Sequence, residues 1–134
     1  MLNIRTRAVA ETLTFQLCDA ADEPLVNEDG SPCNATIHGP GSRRYAAAQA
    51  AKQSKLLNRL QRGKDINLSA DEAARQQAEF LTAITESLDV AYDDLKGRDK
   101  LLAIYSDLEL GFIADQVTKK AGDWANFTRG SATS

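Results

Sequence analysis

Apolar side chains at alternate positions mark two segments in the first third of the chain. They are Leu13, Phe15 and Leu17 in the first segment, and Cys33, Ala35 and Ile37 in the second. A period of two is typical of strands with one buried face. Between the segments, Asp29-Gly30 provides turn chemistry because both residues accept positive φ. We therefore predict a small antiparallel sheet over residues 13–38.

The period changes to three and four residues after the turn at Gly39-Pro40-Gly41. Ser42 is a good N-cap, because its hydroxyl oxygen can accept a hydrogen bond from a backbone N–H of the first helical turn. We predict a first helix from there to about Arg62, ending at Gly63. The residues expected to form its packing stripe are Tyr45, Leu56 and Leu60.

A second helix is predicted to begin at Ser69, after a short linker at 64–68. Ser69 and Glu72 have capping-box spacing. Small and apolar residues then recur at helical steps, so we predict a helix through about Tyr92 that forms a hairpin with the first. These residues are Ala74, Ala78, Leu81, Ile84, Thr85, Leu88 and Ala91.

Two shorter helical patterns follow. We predict a loop at Asp93–Gly97, a short helix at Arg98–Ser106 and a break at Asp107–Glu109. The last helix is expected to run from about Leu110 to Phe127, because apolar residues again recur at helical spacing.

Together these elements predict one α+β domain, mostly α, over residues 13–127. The sheet occupies 13–38, and about four helices occupy 43–127. A chain of 134 residues can bury enough surface to fold without a disulfide or a structural metal. We expect residues 1–12 to form a flexible arm and residues 128–134 a disordered tail.

The net charge of −3 conceals a segregated distribution. Residues 43–64 hold seven basic and no acidic side chains, whereas 65–115 hold twelve acidic and four basic ones. We interpret the basic helix as pairing with an acidic protein surface, either the second helix of this chain or a partner. Nucleic acid binding is less favoured, because the chain is acidic overall and Tyr45 is the one aromatic residue in the basic segment.

Residue types that carry catalysis are scarce. His38 is the one histidine, which does not suffice for a usual His-based metal site or a histidine relay, and Cys18 and Cys33 do not form a CxxC pair. No apolar run approaches the ~20 residues that span a bilayer, and the first residues lack the pattern of a signal peptide. We therefore expect a cytoplasmic, non-enzymatic protein that uses no cofactor or metal and does not contact membranes.

The order of elements and a few motifs resemble a known family. Gly39-Pro40-Gly41-Ser42 leads into Arg43-Arg44-Tyr45 at the start of the basic helix, and a capped acidic helix follows. The closing motifs are Tyr105, Phe112-Ile113, Gln116-Val117 and Asn126-Phe127. Over residues 13–127, this pattern is similar to that of the tail assembly chaperones of long-tailed bacteriophages.

The resemblance implies a non-enzymatic role in the host cytoplasm. Such a chaperone binds the tape-measure protein, keeps its hydrophobic helices soluble and recruits tail-tube subunits while the tail is built. The resemblance also implies that the protein is absent from the mature virion, and it leaves self-association open.

We expect the residues that bind a partner to lie on the basic helix and on the aromatic C-terminal helix. For the aromatic residues, packing in the core is the alternative. The candidate residues are Arg43, Arg44, Tyr45, Lys52, Arg59, Phe112, Val117, Trp124 and Phe127. Two other functions are kept as alternatives. One is a small nucleic-acid-associated regulatory protein that uses residues 43–64, and the other is a minor structural protein of the tail.

Overall fold

The computed structural model describes residues 1–63 and 69–128. Within these residues the strands are β1 (Thr12–Gln16), β2 (Asn34–His38) and β3 (Thr85–Leu88), and the helices are α1 (Arg43–Gln61), α2 (Ala70–Ile84), α3 (Gly97–Ser106) and α4 (Gly111–Ala121). Short 3₁₀ turns lie at Ile4–Arg7, Leu108–Leu110 and Trp124–Phe127. The fold is α+β and mostly α, which confirms the predicted class.

The sheet is antiparallel, with the strands in the order β1, β2, β3. The alternation that predicted β1 and β2 is confirmed, since the apolar side chains of both strands are buried. Both predicted N-caps are also present: Ser42 accepts a hydrogen bond from the Tyr45 N–H, and Ser69 accepts one from the Glu72 N–H.

The prediction of a second helix through about Tyr92 is wrong. Helix α2 ends at Ile84, and β3 begins at the next residue. Thr36 pairs with Ser87 and Ile37 with Thr85, so Glu86 is an extra residue in the strand, a β-bulge. The bulge places the buried residues of β3 three positions apart, and this spacing mimics the period of a helix.

The last helix is also shorter than predicted. Helix α4 ends at Ala121, and after Gly122 the Asp123 side chain accepts a hydrogen bond from the Ala125 N–H at 3.0 Å. This local bond favours the separate 3₁₀ turn Trp124–Phe127 over a continued helix. In that turn the Phe127 ring lies against Gly39, where a Cβ would collide with it.

One apolar cluster joins the inner face of the sheet to the helices. The buried residues of the helices are Ala48 from α1, Ala78, Leu81 and Ile84 from α2, Leu101, Ile104 and Tyr105 from α3, and Ile113, Val117 and Ala121 from α4. Within the described helix α1, Ala48 alone is buried. The predicted packing stripe of α1 is correct for Tyr45, which packs against the core cluster, and wrong for Leu56 and Leu60, which are exposed.

Both ends of the chain carry predictions that stay open. Residues 1–12 contain an exposed 3₁₀ turn, and β1 begins at Thr12, but the flexibility of this arm stays a prediction. The predicted disordered tail at 128–134 lies outside the described residues except for Thr128, and the linker at 64–68 lies outside them entirely.

Candidate partner-binding surface

Helices α1 and α2 form the predicted hairpin, and oppositely charged side chains of the two helices face each other across it. In the described part of the chain, ion pairs join α1 to α2 and β3 at three places: Arg59 with Glu72 (2.7 Å), Lys55 with Glu79, and Arg44 with Glu86 (3.2 Å). The basic helix thus pairs with the acidic elements of its own chain. These exposed or half-exposed pairs orient α1 more than they stabilise it, because solvent screens them.

Glu86, the extra residue of the bulge, contacts two basic side chains. Its carboxylate accepts hydrogen bonds from His38 Nε2 at 2.9 Å and from an Arg44 nitrogen at 3.2 Å. The bond from His38, and then the charge of Arg44, lower the pKa of Glu86. Arg44 Nε also donates to the Ala83 carbonyl at 3.0 Å. His38 therefore links the end of β2 to the bulge of β3.

Aromatic contacts fix the first half of α1 on α2. The Tyr45 ring meets the Phe80 ring edge-on, with centroids 5.4 Å apart, and Lys52 Nζ lies 5.4 Å from the centroid of the same Phe80 ring. A shallow groove of about 160 Å³ runs beside this contact over Ala48, Phe80 and Ala83. Pockets for small molecules measure roughly 300 Å³ or more. The groove is therefore too small to indicate a small-molecule site.

One face of α1 is uncharged and exposed. We call it the outer strip, and it consists of Ala46, Gln49, Ala50, Gln53, Leu56, Leu57 and Leu60. Steps of three and four residues place these positions on one face of the helix. Leu57 is 57% exposed and Leu60 50% exposed. The sequence pattern does not reveal this surface, because helical spacing from Tyr45 assigns Leu56 and Leu60 to the packing side.

The C-terminal candidates divide between core and surface. Val117 and Phe127 are buried at 0% and 1% exposure, so their proposed place on a binding surface is corrected: they pack the core. Phe112 is half-buried. Trp124 is 56% exposed, and a Cβ placed on Gly41 would lie 3.5 Å from its ring.

The structure brings only part of the candidate set together. Trp124 lies beside Gly41, in the turn that leads into α1. This turn immediately precedes Arg43. Tyr45 and Lys52 share the Phe80 ring. Arg59 lies further along α1 and is half-buried against Glu72. Trp124 thus lies near the start of α1, whereas the exposed leucines of the outer strip lie in its second half.

Among residues 1–63 and 69–128, no group of three or more His, Cys, Asp or Glu side chains is placed to hold a metal ion. No helix in the described ranges combines the length and apolar character needed to cross a bilayer.

No family model matches the chain, and comparisons with curated proteins and with solved structures found no match either.

Proposed function

We propose that this protein is a tail assembly chaperone of a long-tailed bacteriophage. In this role it binds the tape-measure protein in the host cytoplasm, keeps it soluble, recruits tail-tube subunits, and leaves before the virion is complete. The proposal combines the sequence resemblance over residues 13–127 with one structural observation, the outer strip of α1.

The outer strip supports the proposal because it fits a helical partner. Helix-binding surfaces commonly present apolar anchors at helical spacing to an amphipathic helix. Leu56, Leu57 and Leu60 are exposed on such a face, and full burial of each half-exposed leucine would contribute roughly 1 kcal/mol. A long helical protein with apolar faces is the kind of partner that would bury them.

The charges of α1 support the same role. The ion pairs to α2 and β3 keep the basic residues Arg44, Lys55 and Arg59 off the outer strip. The strip therefore stays uncharged and carries exposed leucines, while the hairpin around it stays charged. A chaperone that must keep a complex in solution needs both properties, because large exposed apolar surfaces aggregate.

The test is co-expression of the chain with the tape-measure protein of the same phage. We expect wild-type chain to keep the tape-measure protein in the soluble fraction and to co-purify with it. The Leu57→Glu, Leu60→Glu double variant should lose more than about tenfold of this capture, since it removes two anchors and puts charge into an apolar contact. Its thermal unfolding should stay close to wild type, because both positions are exposed.

Leu108→Glu is the matched control. Leu108 is 89% exposed in a different part of the fold, so the same substitution there should leave capture intact. Equal capture by the double variant and wild type would remove the outer strip from the proposal. A wild-type chain that neither binds nor solubilises the tape-measure protein would overturn the chaperone role itself.

A further inference from the structure

The two edges of the sheet differ in how they are protected. Along β3, the Lys100 ammonium donates to the carbonyls of Leu88 (3.1 Å) and Val90 (3.0 Å), and the bulge at Glu86 interrupts the strand. Short, bulged and covered strands resist pairing with another chain. Strand β1 forms the other edge, and its described residues Thr12–Gln16 contain no bulge, proline or charged side chain.

Alternate residues of β1 turn their backbone groups away from the sheet. The Leu17 N–H donates to the Cys33 carbonyl at 2.8 Å, and the Glu11 carbonyl accepts from the Gly39 N–H at 2.7 Å. Odd-numbered residues of this segment therefore face β2. The residues whose N–H and C=O groups face outward are Thr12, Thr14 and Gln16, and β2 is the one strand that pairs with β1 in the described chain.

The protein satisfies this edge at both of its ends. At one end, the Gln116 side chain accepts from the Cys18 N–H at 2.8 Å and donates to the Cys18 carbonyl at 2.7 Å, as a neighbouring strand would. At the other end, the Ala10 N–H donates to the Phe127 carbonyl at 2.7 Å. The open stretch is thus limited to β1 itself.

We propose that β1 pairs with β1 of a second copy of this chain, antiparallel, about a two-fold axis at Thr14. In this register, Thr12 of each copy lies opposite Gln16 of the other, and Thr14 lies opposite Thr14. Each of these pairs consists of residues that face outward, so every outward N–H and C=O of the stretch gains a partner. The result is one continuous sheet twice as wide.

A second copy fits this edge because the pairing is self-complementary. The segment TLTFQ itself carries no charge, and Lys120 stands beside it with its Nζ 5.5 Å from the centroid of the Phe15 ring. Threonine favours strands, and its side chains here stand on the exposed face of the sheet. On the buried face, Leu13 of one copy comes opposite Phe15 of the other, which continues the apolar layer across the axis. The inference does not depend on the chaperone role.

Light scattering after size exclusion tests the proposal on the full chain at roughly 10–100 µM, where micromolar association is visible. We expect a dimer for the wild type. Thr14→Lys places two like charges next to each other on the two-fold axis. Thr14→Pro removes an outward N–H from each copy and leaves the hydrogen bonds to β2 intact. Both variants should weaken association at least about tenfold. Thr36→Lys is the matched control. It breaks the same hydroxyl contact between Thr14 and Thr36 and introduces the same charge, but it lies on the central strand β2, away from the proposed interface.

Amide exchange of the wild type gives a second readout that needs no variant. The outward amides of Thr12, Thr14 and Gln16 should exchange more slowly as protein concentration rises. A monomeric wild type over this range would overturn the proposal. So would a dimer that persists in Thr14→Lys, or β1 amides whose exchange is independent of concentration. Protection that appears only when another protein is added would identify a different partner and likewise overturn it.

Discussion

Tyr105 joins α3 to the residue where α2 becomes β3. Its hydroxyl lies 2.7 Å from Thr85 Oγ1, and the Thr85 hydroxyl donates to the Leu81 carbonyl at 2.6 Å. The Tyr105 side chain is buried at 7% exposure. Burial raises the pKa of Tyr105 to about 12, against a smaller opposing effect of the Thr85 hydrogen bond. The fold therefore prefers the neutral phenol.

This preference predicts a loss of stability at high pH. In the unfolded chain Tyr105 ionises near its ordinary pKa of 10, whereas in the fold it holds its proton to about 12. The unfolded state then binds fewer protons, so the free energy of unfolding falls between about pH 10 and 12, by roughly 2 kcal/mol. Urea unfolding at pH 9 and pH 11.5 measures this change.

Tyr105→Phe should remove this part of the pH dependence while costing about 1 kcal/mol at neutral pH through the lost hydrogen bond. The comparison is the difference between wild type and variant at each pH, since other groups titrate in both proteins. If the two proteins lose the same free energy between pH 9 and pH 11.5, Tyr105 is not the group responsible.

Single residues also mark how far sequence reasoning extends. Ser42 and Ser69 are predictable caps, because capping depends on residues three positions apart. Glu72 has the spacing to complete the capping box but pairs with Arg59 instead. A contact between two helices depends on how they pack, and local spacing does not contain that information.

At the scale of elements, the same limit explains β3. Strict alternation of apolar and polar residues predicts strands β1 and β2. Helices α1 and α3 have the predicted bounds within a residue or so. In β3 the bulge makes the buried positions helical in spacing, and pairing with β2 decides the structure. Pairing with a neighbouring strand overrides a local helical pattern when it supplies hydrogen-bond partners for the backbone of that strand. The outer strip was missed for a related reason, because which side of α1 packs is fixed by α2.

The side chain of Lys100 covers the outer edge of β3. Its ammonium satisfies the outward carbonyls of Leu88 and Val90. Lys100→Met keeps the length of the side chain but leaves both carbonyls without this donor. We expect a loss of about 1–2 kcal/mol in the free energy of unfolding, less than a fully buried charged bond would give because Lys100 is half-exposed.

Chemical denaturation of Lys100→Met measures that loss, and Lys96→Met is the control. Lys96 is exposed just before α3 and makes no side-chain capping bond, so the same change of charge should cost little there. Equal stability of the two variants would show that Lys100 does not support the edge of β3.

At the scale of the whole molecule, the segregated charges of the sequence become internal contacts. A basic helix packs on acidic elements of the same chain, and the net charge stays at −3. Helix α1 contributes only Ala48 to the buried residues of the described chain, so charge and the Tyr45–Phe80 contact orient it. Its basic residues Arg44, Lys55 and Arg59 already face carboxylates of the same chain, while its outer strip stays exposed.

This arrangement predicts weak binding to nucleic acid, the alternative that the basic segment raised. Phosphate binding requires protein cations that are free to displace the counterions condensed on the nucleic acid, whereas Arg44, Lys55 and Arg59 face carboxylates. In fluorescence anisotropy at low salt, we expect dissociation constants for duplex and single-stranded DNA above about 1 µM, with little dependence on salt.

The variant with Glu72→Gln, Glu79→Gln and Glu86→Gln frees these cations and should bind more tightly, with a salt slope steeper by roughly 0.9 per phosphate contacted. Circular dichroism must show that this variant still folds. Submicromolar binding by the wild type with a steep salt slope would contradict the prediction and favour the regulatory function.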